Sequence, residues 1–126
     1  HENKAIECAI KMREKLKELN ESWDENDTSR YWKNHGINSI KMRIGVHTGS
    51  VIAGNVGSVD MIQYSTIGDT VNVAARLERA NKEFGTNILF GDEVYTSLTK
   101  KLHSQSTLSG EVTLKGRAKP TKVYSI

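Results

Sequence analysis

The sequence has very few of the residues that cross-link or rigidify small chains. Its 126 residues include one cysteine, Cys8, and one proline, Pro120. A lone cysteine excludes a disulfide scaffold and is typical of a reducing compartment, so we expect a cytoplasmic location. No apolar run approaches the roughly 20 residues of a membrane-spanning helix, and the polar first residues lack the apolar core of a signal peptide. We therefore expect any membrane attachment to come only through other domains.

A strong excess of one charge is also lacking. The chain has 18 Lys and Arg against 15 Asp and Glu, which gives a net charge of +3. This mild positive balance suits phosphate-bearing ligands, but it is too small to indicate nucleic acid as a partner. With 37% hydrophobic and 26% charged residues, the composition is that of one ordinary globular domain.

The first half of the chain shows two periodicities. Apolar residues at alternating four- and three-residue steps predict one amphipathic helix at the start. This stripe consists of Ala5, Ala9, Met12, Leu16, Leu19 and Trp23. The polar residues 20–39 predict a loop. Alternation from residue 40 to 47 predicts a strand with one buried face, and a turn at Gly49-Ser50 predicts a β-hairpin with residues 51–53.

Short strands and helices alternate in the second half. An extended piece at 61–67 leads into a helix with Asp69 or Thr70 as N-cap and Gly85 as C-cap. The other predicted elements are a strand at 87–90, a small helix at 92–98, and strands at 111–114 and 121–126. This order predicts an α+β domain with a mixed or antiparallel sheet and no internal repeat.

Two side chains on the central predicted helix could bind a sugar oxygen and a phosphate. Asn72 and Arg76 are four residues apart, so they project together, and Arg79 and Glu83 continue the polar stripe. An amide beside a planar cation suits a sugar oxygen and a phosphate. Spacing alone favours the simpler interpretation, an ordinary solvated helix face.

Other candidate motifs are weaker. The segment 49–55 is glycine-rich but lacks the Lys and Ser or Thr of a phosphate-binding P-loop. The basic turn around Lys115 and Arg117 could receive a polyphosphate, although such turns also protect edge strands from aggregation. The four histidines are scattered, so we expect no metal site in this chain, and His47 is interpreted as structural.

Three blocks of the sequence, together with its C-terminal segment, resemble the class III nucleotidyl cyclases, which are the adenylate and guanylate cyclases. The blocks are residues 43–49, 51–58 and 64–78, and the resemblance continues through 114–117 and 123–124. It covers nearly the whole chain. It implies the family's ferredoxin-like α+β fold, with a mixed or antiparallel sheet and helices on one face.

The resemblance also assigns roles to individual residues. Asn72 would orient the ribose, and Arg76 would stabilise the charge that develops on the α-phosphate as the 3′-hydroxyl attacks. Arg117, and less securely Lys115, would contact the triphosphate. These expectations make Asn72 and Arg76 the catalytic pair.

The base-selecting position of the family corresponds to Ser65, and the neighbouring Thr66 and Ile67 are also expected to bind substrate. Many adenylate cyclases have Asp or Thr at this position, whereas guanylate cyclases often have Cys. Because the Ser65 hydroxyl is both a donor and an acceptor, as a Thr hydroxyl is, we expect ATP as substrate, with GTP as the alternative.

Parts of the family pattern are missing. The two metal-binding aspartates of the family lie upstream of the first helix, so we expect the ligands of two Mg²⁺ or Mn²⁺ ions outside this chain. Residues 1–126 are then predicted to form a partial catalytic domain without the N-terminal strand, helix and metal-bearing hairpin. We expect no turnover from this chain alone and activity from a dimer of intact domains. A non-catalytic regulatory or dimerisation domain is the other alternative.

Overall fold

A mixed four-stranded sheet organises the chain in a computed structural model that describes residues 1–126. The helices are α1 (Glu2–Glu25), α2 (Arg30–Lys33), α3 (Asp69–Phe84), α4 (Asp92–Thr96) and α5 (Lys100–Gln105). The strands are β1 (Ile44–Val46), β2 (Ile52–Ser58), β3 (Met61–Ile67), β4 (Ile88–Gly91), β5 (Thr107–Val112) and β6 (Thr121–Ser125). The sheet order is β1-β4-β6-β5, with β1 parallel to β4 and the other pairs antiparallel. The predicted α+β class and mixed sheet are confirmed.

The strand β1 does not form the predicted hairpin with residues 51–53. Instead β2 pairs with β3 in a separate antiparallel ribbon, in a register from Ile52↔Ile67 to Ser58↔Met61. β1 pairs in parallel with β4. Parallel strands need a long crossover connection, and the chain between these two strands includes the helix α3. The strand is also shorter than the predicted 40–47, whereas β3 has the predicted bounds.

The first helix extends into the predicted loop. α1 continues to Glu25, and α2 forms within the segment that was expected to be irregular. Trp23 near the end of α1 packs edge-to-face on Trp32 of α2, with ring centroids 5.3 Å apart, and this contact holds the two helices together. The buried stripe of α1 is centred on Ile6 and Ala9, so Met12, an expected core residue, is exposed.

The helices cover both faces of the sheet, so the expectation of helices on one face is wrong. One buried cluster joins α1, α4 and α5 to Ile88 and Phe90 of β4. The other joins α3 to Leu89 of the same strand. Since successive side chains of a strand point to opposite faces, β4 is buried on both sides, and each face needs its own helices.

The helix α3 is packed very closely against β1. Its residues Val73, Leu77 and Ala80 are buried, and Gly85 ends it in the left-handed conformation with φ 65°, as predicted. Its N-cap is Gly68 rather than Asp69 or Thr70. A Cβ atom at Gly45 of β1 would lie 2.2 Å from the Ala74 carbonyl oxygen, so only glycine permits this approach.

Asn81 links α3 to β1 through its buried side chain. Its Nδ2 donates a hydrogen bond to the Ile44 carbonyl oxygen at 3.0 Å, and its Oδ1 accepts one from Thr86 Oγ1 at 2.8 Å. Together with the buried stripe, this link fixes the rotation of α3 about its axis. The exposed side of α3 is therefore held in one orientation.

The C-terminal elements differ in extent from the predictions. The predicted small helix ends at Thr96, and α5 follows it as a helix that the pattern did not indicate. β5 spans Thr107–Val112 rather than 111–114. None of the five helices combines the length and the hydropathy required to traverse a lipid bilayer.

Candidate functional site

The exposed side of α3 faces a groove that the segment from β5 to Lys115 closes on the other side. Asn72 and Arg76 lie about 40° apart around the helix axis and about 6 Å apart along it. Both line this groove, which has a volume of about 820 Å³. Arg79 lines it from the next turn of α3. The remaining lining residues are Asp69, Ala80, Glu83, Glu111, Val112, Thr113 and Lys115.

The three cations of this groove have no partners within the chain. The ion pairs of the structure involve other residues, and neither Arg76, Arg79 nor Lys115 has a carboxylate within 4.0 Å. The groove is lined mainly by polar and charged side chains. Free guanidinium and ammonium groups around one polar groove are suited to binding a phosphate chain.

Arg117 lines another groove of about 560 Å³, whose lining does not include Asn72 or Arg76. Its Nη1 donates to Glu93 Oε1 at 2.6 Å and lies 3.5 Å from Thr121 Oγ1. Burial disfavours the ionised form of Glu93, but its own backbone N–H and the Arg117 guanidinium outweigh burial and lower the pKa of Glu93. Of the two basic residues expected at the triphosphate, only Lys115 therefore shares the groove of the α3 pair.

His47 follows β1 and is half-buried near Glu93 and Arg117. Burial lowers its pKa; Arg117 adds to this effect, while Glu93 and Asp69 oppose it. Its buried Nδ1 has no hydrogen-bond partner, and neither does Oε2 of Glu93. Sequence reasoning missed Glu93 altogether, because nothing local to residue 93 indicates a contact with a residue 24 positions later.

The expected base-binding residues lie outside the groove of Asn72 and Arg76. Ser65, Thr66 and Ile67 are at the end of β3, opposite Gly54, Ala53 and Ile52 of β2. Ser65 is half-buried, and the other two are exposed. Within one chain, the structure therefore brings together Asn72, Arg76 and Lys115 and leaves these three residues on the ribbon.

The ribbon of β2 and β3 presents a large apolar surface. Its side chains include Met61 and Tyr64, each 77% exposed, and Val59 at its turn is 94% exposed. A two-stranded ribbon is only marginally stable by itself, and exposed apolar patches of this kind mark interaction surfaces.

The residues present do not form a divalent-metal site. No group of three or more His, Cys, Asp or Glu side chains is arranged to hold a metal ion. The groove holds three carboxylates, Asp69, Glu83 and Glu111, beside its three cations, Arg76, Arg79 and Lys115, which would repel a divalent metal.

Known proteins are similar to the chain over its full length. A family model described as the adenylate and guanylate cyclase catalytic domain matches residues 1–126. Adenylate cyclase 1 of Rhizobium meliloti is 31% identical over 126 residues, which are 100% of this chain and 17% of that protein. Adenylate cyclase of Anabaena cylindrica is 32% identical over 123 residues, which are 97% of this chain and 24% of that protein.

A solved structure shows the same fold. The adenylyl cyclase CyaB from P. aeruginosa superposes with a TM-score of 0.60 and 28% identity. The match covers 92% of this chain and 53% of CyaB. The chain thus spans about half of this solved relative and less than a quarter of the two curated relatives described above.

Proposed function

The chain belongs to the family of adenylate and guanylate cyclase catalytic domains, and from this premise we propose that the intact domain converts ATP to 3′,5′-cyclic AMP and pyrophosphate. The observation that carries the proposal is the placement of Asn72, Arg76 and Lys115 around one groove, with both cations unpaired. The hydroxyl of Ser65 and the names of the two bacterial relatives support ATP rather than GTP.

The proposed reaction is an intramolecular phosphoryl transfer. The 3′-hydroxyl oxygen attacks the α-phosphorus, the bond from that phosphorus to the bridging oxygen of pyrophosphate breaks, and the hydroxyl proton is released. Negative charge develops on the oxygens of the α-phosphate, and the Arg76 guanidinium donates hydrogen bonds to them. A preorganised donor of this kind accelerates a reaction by about 10²–10³-fold, or about 2.7–4 kcal/mol.

The other residues of the groove bind and orient the substrate. The amide of Asn72, one turn before Arg76 on α3, holds the ribose so that the 3′-oxygen lies in line with the α-phosphate. Lys115 contacts the triphosphate from the opposite wall. Arg117 reaches it only if Glu93 releases part of the guanidinium. The Mg²⁺ or Mn²⁺ ions that the family uses would be held by residues outside these 126.

We further propose that the active form is a pair of cyclase domains. The exposed apolar ribbon supports this, because pairing would bury side chains such as Met61 and Tyr64. Pairing would also add the metal-binding groups that the groove of one chain lacks. Replacing Met61 by Lys should shift the sedimentation of the intact protein from dimer to monomer, and an unchanged dimer would place the interface elsewhere.

The direct test measures cyclic nucleotide formation by the full-length protein with MnATP and with MnGTP. The proposal predicts cyclic AMP as the main product and no turnover by residues 1–126 alone. Cyclic GMP as the main product would instead identify a guanylate cyclase. If neither nucleotide is converted, the domain is a non-catalytic regulatory or dimerisation module.

A further inference from the structure

We propose that Arg79 is a further phosphate-binding residue of the α3 groove and contacts the pyrophosphate part of the nucleotide. This inference rests on the proposed function, since it assigns one more contact within the same site. It concerns a residue that neither the base-binding nor the catalytic assignments include.

The first observation is the order of side chains along α3. Arg79 lies three residues after Arg76, which displaces it by about 4.5 Å along the axis and keeps it on the same side of the helix. Helical side chains lean towards the N-terminus, so the Arg79 side chain covers the turn of Arg76. The row Asn72, Arg76, Arg79 then follows the order of ribose, α-phosphate and the next phosphates in a nucleotide.

The second observation is that Arg79 is unpaired. The chain has six arginines, and four of them donate to an oxygen of the chain. These contacts are Arg13 to Ile126, Arg30 to Asp27, Arg43 to Glu78 and Arg117 to Glu93. Arg76 and Arg79 are the two that do not, and both line the same groove.

A carboxylate is close to Arg79 in the sequence, so the absence of an ion pair between the two side chains is informative. Glu83 is four residues later on α3 and lines the same groove, a spacing at which oppositely charged side chains are within reach of each other. It nevertheless has no basic nitrogen within 4.0 Å. Two unpaired guanidinium groups one turn apart repel each other, and a bound anion removes this repulsion.

The opposite wall of the groove completes the phosphate site. Lys115 faces the groove from the segment after β5, so the anion would lie between an ammonium group and the two guanidinium groups of α3. Three carboxylates, Asp69, Glu83 and Glu111, also line the groove, so an anion that extends beyond the three cations would meet negative charge. The site therefore suits a short phosphate chain such as pyrophosphate.

The test measures binding of inorganic pyrophosphate to the full-length protein by isothermal titration calorimetry, together with KM for ATP. Loss of one charge-assisted contact in Arg79→Ala should weaken pyrophosphate binding and raise KM, each by about tenfold. The effect on kcat should be smaller, because this contact is present in both the ground state and the transition state. Arg79→Lys should recover part of the affinity.

Lys82→Ala is the matched control. It removes one positive charge from the same helix, but Lys82 lines a different groove with Arg43 and Asn87. Pyrophosphate binding should stay within twofold of wild type in this variant. An equal loss of pyrophosphate affinity in Lys82→Ala and Arg79→Ala would show that the effect comes from the net charge of the protein. This result would overturn the proposal.

The outcomes separate this inference from the proposed function. If Arg76→Ala abolishes turnover while both Arg79→Ala and Arg79→Gln bind pyrophosphate like wild type, the Arg79 assignment is wrong and the function stands. If Arg76→Ala also leaves turnover unchanged, the proposed function is wrong. Arg79 is exposed, so we expect its three variants to fold, which circular dichroism checks.

Discussion

The two asparagines of α3 should respond in opposite ways to the same substitution. Asn81 is 1% exposed and links α3 to β1 through the Ile44 carbonyl, whereas Asn72 is exposed and makes no side-chain hydrogen bond. In Asn81→Ala the Ile44 carbonyl and the Thr86 hydroxyl each lose a partner. Two hydrogen bonds contribute about 1–3 kcal/mol to the free energy of unfolding.

Two smaller effects adjust this value. The space left by the buried amide adds up to about 1 kcal/mol of destabilisation, and the better helix propensity of Ala returns about 0.6 kcal/mol. We therefore expect Asn81→Ala to lower the free energy of unfolding by about 2 kcal/mol. Asn72→Ala should change it by less than about 0.7 kcal/mol, in the stabilising direction.

Urea denaturation of the catalytic domain, followed by circular dichroism, compares the two variants with wild type. The effects on activity should be in the opposite order to the effects on stability. Asn72→Ala should lose turnover, whereas Asn81→Ala should keep it under conditions in which the domain is folded. Equal stability losses in the two variants would show that the buried link from Asn81 to β1 does not stabilise the fold. So would an Asn81→Ala protein with the wild-type denaturation midpoint.

Two further predictions concern β1 and the residue after it. In Gly45→Ala the new Cβ would clash with the Ala74 carbonyl oxygen at 2.2 Å. We therefore expect the free energy of unfolding to fall by about 3 kcal/mol. An unchanged denaturation midpoint would contradict the close packing of β1 on α3. Burial lowers the pKa of His47 below 6.5, so the folded state favours neutral His47 and its stability should decrease as the pH falls below 6.5. Denaturation at pH 7.5 and 5.5 should show this decrease in the wild type and a smaller one in His47→Gln.

Local patterns predicted the element on which the site depends. The apolar stripe of α3 and the glycine after it are signals within one helix, so its C-terminal end and the adjacency of Asn72 and Arg76 followed from the sequence. The continuous apolar run of β4 also indicates burial on both faces, a signal that the expectation of helices on one face did not use.

Contacts between distant segments could not be predicted in this way. Whether Lys115 or Arg117 joins Arg76 depends on how the last loop closes against α3 and α4, and residue spacing carries no information about this. The structure places Lys115 in the groove and pairs Arg117 with Glu93. The pairing of β1 with β4 is likewise non-local, so the short turn at Gly49 suggested the wrong partner.

In the proposed reaction Arg76 stabilises the charge that develops on the α-phosphate, and the turnover number of the Arg76→Ala variant measures this contribution. We expect kcat of the full-length protein with MnATP to fall by about 10²–10³-fold in this variant. The free energy of unfolding should meanwhile stay within about 0.5 kcal/mol of wild type, because Arg76 is exposed and unpaired. A folded Arg76→Ala protein that retains the wild-type kcat would exclude this role for Arg76.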